Sequence, residues 1–360
     1  MSDRTCALPG ALALHLTEAC NLRCKMCYEW GETGVYSTAE KRKKPATLDH
    51  ELVKRIISEL APRKPFYSLF GGEPLMYPHL EEVIVAIKEA GSIVDTPTNG
   101  TLLAEHARML VQTGFDMVRV SIDGPREIND LQRGANSFDK AMGGIETLHE
   151  EKQKASKFTP NIGIIYTVTP ENHLSVEQFF LKDLNLDAVG MVTIQMQNFL
   201  TDKMGKAYAR MLESEFGITG DRYWRAMLRS PEDFSEMDTV ELARQVETVT
   251  RRLKELGKLL IFLPRSFSSE NISAYLGAKW DKMPEKYSRC PVPWTGVDIT
   301  AGGNMAPCHV FYDFVMGNLY DHSFEEVWNG EKFQSYREYM KRHGLMSICH
   351  GCCILYLVGS

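Results

Sequence analysis

The stretch TEACNLRCKMCYEW, residues 17–30, sets three cysteines at 20, 24 and 27 on one short loop. It directly follows an apolar run, Ala11–Thr17 (ALALHLT), that reads as a β-strand. Cysteine is the usual ligand of iron–sulfur clusters. Three thiolates at this spacing can hold three irons of a [4Fe–4S] cluster, leaving the fourth iron without a protein ligand. In catalytic metal sites an open position of this kind is where a substrate or cofactor binds. The alternative is a zinc loop or a set of buried structural cysteines. Zinc needs a fourth protein ligand, and the nearby His15 is expected to point along the strand.

Working outward, short apolar runs alternate with amphipathic stretches up to about residue 197. The expected strands are Ala11–Thr17, Phe66–Phe70, Ile93–Pro97, Met117–Ile122, Ile162–Val168 and Ala188–Met196. Between them the expected helices are Leu48–Ala61, His79–Ala90, Leu103–Thr113, Phe138–Glu151 and Ser175–Leu184. Repeated βα units imply a parallel sheet with right-handed crossovers. Six of them suit an α/β fold built as a partial (β/α)6 TIM-type barrel, whose functional face lies at the strand ends. The division expected is a barrel over 1–200, a helical, charge-rich connecting region over 201–289 and a cysteine-rich module over 290–360. The connecting region carries a strand-like LLIFLP at Leu259–Pro264, and the last module a helix at Phe324–Arg342.

Composition narrows the function. The 360 residues are 44% hydrophobic and 24% charged, as in globular chains, so wholesale disorder is excluded. Lys plus Arg is 41 against 47 Asp plus Glu, a formal charge of −6, which argues against duplex nucleic acid as a partner. No apolar run is long enough for a membrane span, and the N-terminus does not read as a signal peptide. The basic run Lys41–Lys44 reads as a solvated loop. Nine cysteines, at 6, 20, 24, 27, 290, 308, 349, 352 and 353, cluster at the two ends and leave the middle empty. An odd count in a large chain suits two metal sites in a cytoplasmic protein rather than a disulfide framework.

With its CxxxCxxC loop and Tyr28 beside the last cysteine, the chain resembles the radical SAM superfamily from about residue 11 to its end. The resemblance implies that Cys20, Cys24 and Cys27 bind a [4Fe–4S] cluster whose open iron is chelated by S-adenosylmethionine (SAM). One electron from the cluster then cleaves SAM to methionine and a 5′-deoxyadenosyl radical, which abstracts hydrogen from the substrate. It also implies a reductant such as flavodoxin or ferredoxin. Gly71-Gly72-Glu73-Pro74 after the second strand is similar to the family's GGEP, which meets the SAM ammonium; taken alone it also suits an ordinary turn. Thr98-Asn99-Gly100 matches the family's TNG, although Asn99 also suits a helix cap. Ser121 and Asp123 in SIDG resemble the segment facing the SAM ribose and methionine. Arg133 resembles the arginine that meets the SAM carboxylate, or else is a surface arginine. Thr167, Asn172, Gln195 and Gln197 are further lining candidates without assigned roles.

The C-terminal cysteines, in CPVPW from Cys290, GGNMAPC to Cys308 and CHGCC from Cys349, resemble the SPASM/twitch extension of these enzymes, which holds auxiliary [4Fe–4S] clusters. The full pattern has seven cysteines and two such clusters. Five are present here, so one auxiliary cluster is expected on Cys290, Cys308, Cys349 and Cys352, with Cys353 as alternate. Structural zinc is the competing reading, His309, His343 and His350 are other possible ligands, and Cys6 is expected to be inert.

The expected activity is therefore that of a radical SAM oxidoreductase or maturase acting on a peptide or protein. A radical SAM dehydrogenase or epimerase acting on a sugar or alcohol is the competitor. A third class is a non-catalytic iron–sulfur carrier or zinc scaffold, against which the GGEP and SxDG segments speak. About ten residues precede the first strand, too few for an N-terminal leader-binding domain, so a peptide route would need a separate recognition protein or direct reading of the substrate.

Overall fold

The computed structural model describes residues 6–37, 44–220, 222–309 and 311–360; most of the basic run 41–44 lies outside them. Ten strands are present: β1 Ala11–Thr17, β2 Phe66–Gly71, β3 Ile93–Thr98, β4 Met117–Ser121, β5 Asn161–Val168, β6 Met191–Met196, β7 Leu259–Leu263, β8 Gly296–Ile299, β9 Asn304–Ala306 and β10 Gly317–Asn318. They form one sheet in the order β10-β9-β8-β1-β2-β3-β4-β5-β6-β7. From β8 to β7 every pairing is parallel, and only β9 and β10 run antiparallel. The chain is thus the α/β partial barrel expected, but eight parallel strands build it rather than six. LLIFL supplies β7 on one edge, and β8, from the cysteine-rich end of the chain, pairs with β1 on the other.

Strand alternation decides which residues reach the site. In β1, Leu12, Leu14 and Leu16 are fully buried, while Ala11, Ala13, His15 and Thr17 take the opposite face. The leucines share one core with apolar residues of the helices α1 His50–Leu60, α2 Leu80–Glu89, α3 Leu103–Gln112 and α5 Ser137–Lys154, and the polar α4 Arg126–Arg133 follows β4. Helix α1 is capped by Asp49, whose Oδ1 accepts from Leu52 N at 3.0 Å, and it buries Leu52, Val53, Ile56, Ile57 and Leu60. Residues paired in register share a face. Phe70 of β2, opposite His15, and Asp298 of β8, opposite Ala13, therefore face the barrel interior beside His15.

Two expected helices differ. Ser175–Leu184 forms one short turn, Val176–Gln178, that widens into a π-turn over Phe179–Asp183. Phe324–Arg342 is broken into Phe324–Trp328 and α6, Glu331–His343. At the break Gly330 is extended, and Asn329 Oδ1 accepts from Cys6 N at 2.8 Å, so the side chain ties down the N-terminal segment. Among the described residues, no helix is long and apolar enough to cross a membrane.

Candidate active site

The loop after β1 is held by its own backbone and by its neighbours. Leu22 N points at Cys20 Sγ (3.5 Å), and Glu29 N and Trp30 N point at Cys27 Sγ (3.4 and 3.3 Å). Arg23 donates to the carbonyls of Cys20 and Leu22 at 2.7 Å each and lies 4.0 Å over the Trp30 ring. Lys25 N donates to Gln132 O (2.8 Å), which fixes the loop to α4. Burial pushes the Cys20 and Cys27 thiols up to about 12, and raises Cys24 too. Thiols so placed ionise only beside a cation. Backbone N–H groups already aimed at sulfur suit cluster thiolates.

GGEP packs directly on this loop. Gly72 N donates to Thr17 O (2.9 Å) and Glu73 N to Ala19 O (2.8 Å). A Cβ on Gly71, whose φ is +134°, or on Gly72 would sit 2.3 Å from the Thr17 or Ala19 carbonyl oxygen. The paired glycines are thus required by the approach of two backbones. Glu73 is buried and caps the turn that starts at Pro74. Its Oε1 accepts from Thr98 Oγ1 (2.7 Å) and Leu75 N (3.1 Å), and its Oε2 from Asn99 N (2.8 Å). Burial pushes its carboxyl up, and these bonds oppose the push. A carboxylate has about four acceptor positions, so Oε2 keeps one for a ligand.

Asn99 is not the cap of α3, since that position is Leu102. Its Oδ1 accepts from Thr101, and its Nδ2 donates to Asn21 Oδ1 (2.8 Å) in the cysteine loop. Arg133 is no surface arginine: its side chain is 11% exposed, Nε donates to Asp123 Oδ2 (2.6 Å) and Nη1 lies 4.0 Å from Cys24 Sγ. Asp123 Oδ1 accepts from Thr167 N (2.8 Å), so this carboxylate orients Arg133. Asn172 ties the carbonyls of Asp123 and Thr167 together, and Gln195 donates to Thr167 Oγ1 (3.0 Å). Half-buried Ser121 ends β4, and Gln197 is buried beyond β6. Tyr28 is part-buried, with Glu29, Cys27, Cys353 and Asp298 around its hydroxyl.

At the other end, Cys290, Cys308, Cys349 and Cys352 line one cavity whose other walls include Val292, Pro293, Phe311, Met346 and Ile348. Cys353 does not line it. Cys352 and Cys353 share a hydrogen bond that holds the Cys352 thiol up and brings Cys353 down to about 6, with Asn198 and His309 also beside Cys353. Burial raises Cys290, Cys308 and Cys349, the last to about 12. Tyr336 hydroxyl lies 2.9 Å from Cys308 Sγ. His309 borders the cavity, but its Nδ1 is engaged by Asp298 at 2.8 Å. His343 stacks on Tyr339 and His350 on Trp280. Cys6 packs by the Trp294 carbonyl, away from both sets.

Among the described residues, no three Cys, His, Asp or Glu side chains converge closely enough to share one metal ion. A zinc site draws its thiolates together, each about 2.3 Å from one ion. The ligands of a four-iron cluster each take a separate corner. Both donor sets, half-buried, sulfur-rich and not gathered on one ion position, fit the cluster better than zinc.

Sequence reasoning missed a third group. His15 points into the barrel, between Phe70 and Tyr312 at 4.7 Å each. Tyr312 hydroxyl reaches His15 Nε2 (2.5 Å) and Asp298 Oδ2 (2.8 Å). Burial drives His15 down to about 3 and Glu29 up to about 8. Burial also works against charge on Asp298 and His309, but their pairing wins: Asp298 is held below the usual carboxylate range and His309 rises to about 9. No motif spacing could have found this group, because β8–β1 pairing assembles it across nearly the whole chain.

Comparison with known proteins agrees with this geometry. The model of the radical SAM superfamily matches residues 14–180, and that of the SPASM iron–sulfur cluster-binding domain matches 290–353. Over 169 residues the chain is 32% identical to the Fe-coproporphyrin III synthase of Methanosarcina barkeri, covering 46% of this chain and 39% of that protein. It is 24% identical to the serine-type anaerobic sulfatase-maturating enzyme of Bacteroides thetaiotaomicron, covering 94% and 78%. The SAM-bound structure of Streptococcus suis SuiB superposes with a TM-score of 0.61 at 15% identity, over 90% of this chain and 66% of that one. The chain spans less than half the length of the first curated relatives it matches. The two family models together cover both cysteine sets and the barrel between β1 and the π-turn: the chain belongs to the radical SAM superfamily of enzymes and carries a C-terminal SPASM domain, with SAM and [4Fe–4S] clusters as its cofactors.

Proposed function

We propose that this chain reductively cleaves SAM and uses the resulting 5′-deoxyadenosyl radical to abstract hydrogen from a peptide or protein substrate. The observation that carries the reading is the meeting of GGEP, TNG and the Asp123–Arg133 pair on the Cys20–Cys27 loop, with Cys24 4.0 Å from Arg133. In this reading Cys20, Cys24 and Cys27 hold the cluster that supplies the electron. Glu73 takes the SAM ammonium at its remaining acceptor position, and Arg133, oriented by Asp123, takes the carboxylate. Asn99, Ser121, Tyr28 and the glycines complete the cradle. Cys290, Cys308, Cys349 and Cys352 hold a single auxiliary cluster, with Cys353 outside its ligand set. Flavodoxin or ferredoxin is the expected reductant in the cytoplasm. The regions 1–200, 201–289 and 290–360 share one sheet, to which the last two contribute β7 and β8.

The peptide or protein substrate is taken from the sulfatase-maturating relative, which aligns over 94% of this chain; an AdoMet-dependent heme synthase of Oleidesulfovibrio alaskensis, 27% identical over 95% of it, supports a small-molecule substrate as the second reading. The test is anaerobic incubation of the reconstituted protein with SAM and reductant, following 5′-deoxyadenosine by mass spectrometry. Changing Cys20, Cys24 and Cys27 together to Ala is expected to abolish the product while leaving about four irons of about eight, at four irons per cluster. Product formed by the triple variant would refute the assignment.

A further inference from the structure

Along β1, β2 and β4 the interior of the barrel is open to solvent. The outward residues of these strands, Leu12, Leu14, Leu69, Val118 and Val120 among them, are buried under the helices. The residues that alternate with them and face inward, Ala13, Ser68, Phe70, Arg119 and Ser121 among them, are only half-buried. A closed barrel of this class fills its centre with branched side chains. Here alanine and serine leave a hollow instead. It adjoins the proposed SAM cradle, since Ser121 is the next inward residue after Arg119 on β4, about 6.6 Å further along the strand.

Arg119 stands in this hollow as an oriented guanidinium. Its register partner on β3 is Pro97; Asp95, one pleat earlier on the same face, pairs in register with Ser68 of β2. Arg119 Nη2 lies 2.7 Å from Asp95 Oδ2 and 3.5 Å from Ser68 Oγ. Both contacts fall on one nitrogen. Nε has no hydrogen-bond partner, and neither contact takes the two N–H groups of Nη1. Asp95 is sealed from solvent, whereas the Arg119 side chain is 26% exposed, so the acid lies behind the guanidinium and the guanidinium fronts the hollow. The same division holds where buried Asp123 orients Arg133. Phe66 and Phe70 flank Ser68 on the inward face of β2 and make that wall apolar, a setting in which a charge-assisted hydrogen bond strengthens. A guanidinium only donates, so its ligand is an acceptor, and its planar fork matches a carboxylate. Asp95 already balances the charge, so a single carboxylate suits the site better than a dianionic phosphate.

We propose that Arg119 anchors the substrate by a carboxylate, held on its free N–H groups in the hollow beside the SAM cradle. The proposal rests on the radical SAM reading and sharpens it by naming the substrate class: a molecule that presents a carboxylate on an apolar stem. An acidic side chain of a peptide and a free small acid share that chemistry.

The test uses the holoenzyme with its clusters and saturating SAM, so that the site for the SAM carboxylate is filled. Two matched pairs of probes are compared: a short peptide, blocked at both ends, with a central glutamate or glutamine, and butyrate or butyramide. Saturation-transfer NMR is expected to show saturable binding of an acid about tenfold or more tighter than its amide. Arg119→Gln is expected to remove that preference, and so is Asp95→Asn combined with Arg119→Gln. The double variant leaves no buried charge alone and decides the matter should the single one fail to fold. Binding of the glutamate peptide makes the carboxylate peptide-borne; binding of butyrate without the peptide makes the substrate a small acid. Absence of saturable binding by either acid, equal binding of acid and amide, or a preference that survives in a folded variant overturns the proposal. 5′-Deoxyadenosine formation by the same wild-type preparation is measured alongside. Its absence would overturn the radical SAM reading itself, whereas the probe results bear on Arg119 alone.

Discussion

Glu73 accepts three hydrogen bonds inside the fold and keeps one acceptor position, the one proposed for the SAM ammonium, so the two roles have to be separated experimentally. Glu73→Gln retains the shape of the turn but loses the charge. A charge-assisted hydrogen bond contributes roughly 1.5–3 kcal/mol, so SAM affinity is expected to fall about 10–100-fold in equilibrium titration. Unchanged affinity would reduce GGEP to a turn. Tyr336 makes a second residue-scale prediction. Its fully buried hydroxyl meets Cys308 Sγ, and hydrogen bonds to ligating sulfur stabilise the reduced cluster. Tyr336→Phe is expected to move the auxiliary cluster to a more negative potential in an EPR-monitored redox titration with iron content unchanged. An unmoved potential would make the contact one of packing only. Glu73, Asn99 and Arg133 were legible in the sequence as candidates because local motifs name them. That Asp123 orients Arg133 was not legible, because it depends on where the two loops come to rest.

Among the elements, the last turn carries the sharpest choice. Cys352 and Cys353 are adjacent, so their side chains leave the backbone in different directions and only one enters the four-cysteine cavity. Cys352→Ala is expected to lower bound iron from about eight toward four, with Cys353→Ala remaining near eight, as measured by iron analysis against protein. The reverse result would exchange the two residues. About twelve irons in the wild type would mean a second auxiliary cluster. The strands and outer helices of the barrel were readable from apolar periodicity, which reports the face an element buries. The break before α6 was not readable. At it Asn329 Oδ1 accepts a hydrogen bond from Cys6 N, more than three hundred positions away, and helical periodicity continues on both sides.

At the scale of the whole molecule, β8 pairs with β1 in parallel and continues the barrel sheet into the cysteine-rich end. Removing residues 290–360 would strip one side of β1 and uncover Leu12 and Leu14, which β8 flanks with Val297 and Ile299. A chain ending at 289 is therefore expected to aggregate rather than yield a soluble barrel, as judged by size-exclusion chromatography; a monodisperse product would show that the barrel stands without β8. By itself the sequence determined the α/β barrel class, the three-cysteine loop, the order of the SAM motifs and the five C-terminal cysteines from which auxiliary-cluster ligands would be drawn. Each of these is a local pattern, written in the spacing of side chains along a few turns or one strand. Tertiary structure alone decided that the sheet holds eight parallel strands, that Cys352 and not Cys353 faces the cavity, and that Glu29, His15, Tyr312, Asp298 and His309 share one buried chain. Those facts depend on strand register and on which distant backbones pair, and burial then sets the protonation of groups that are ordinary in the linear sequence.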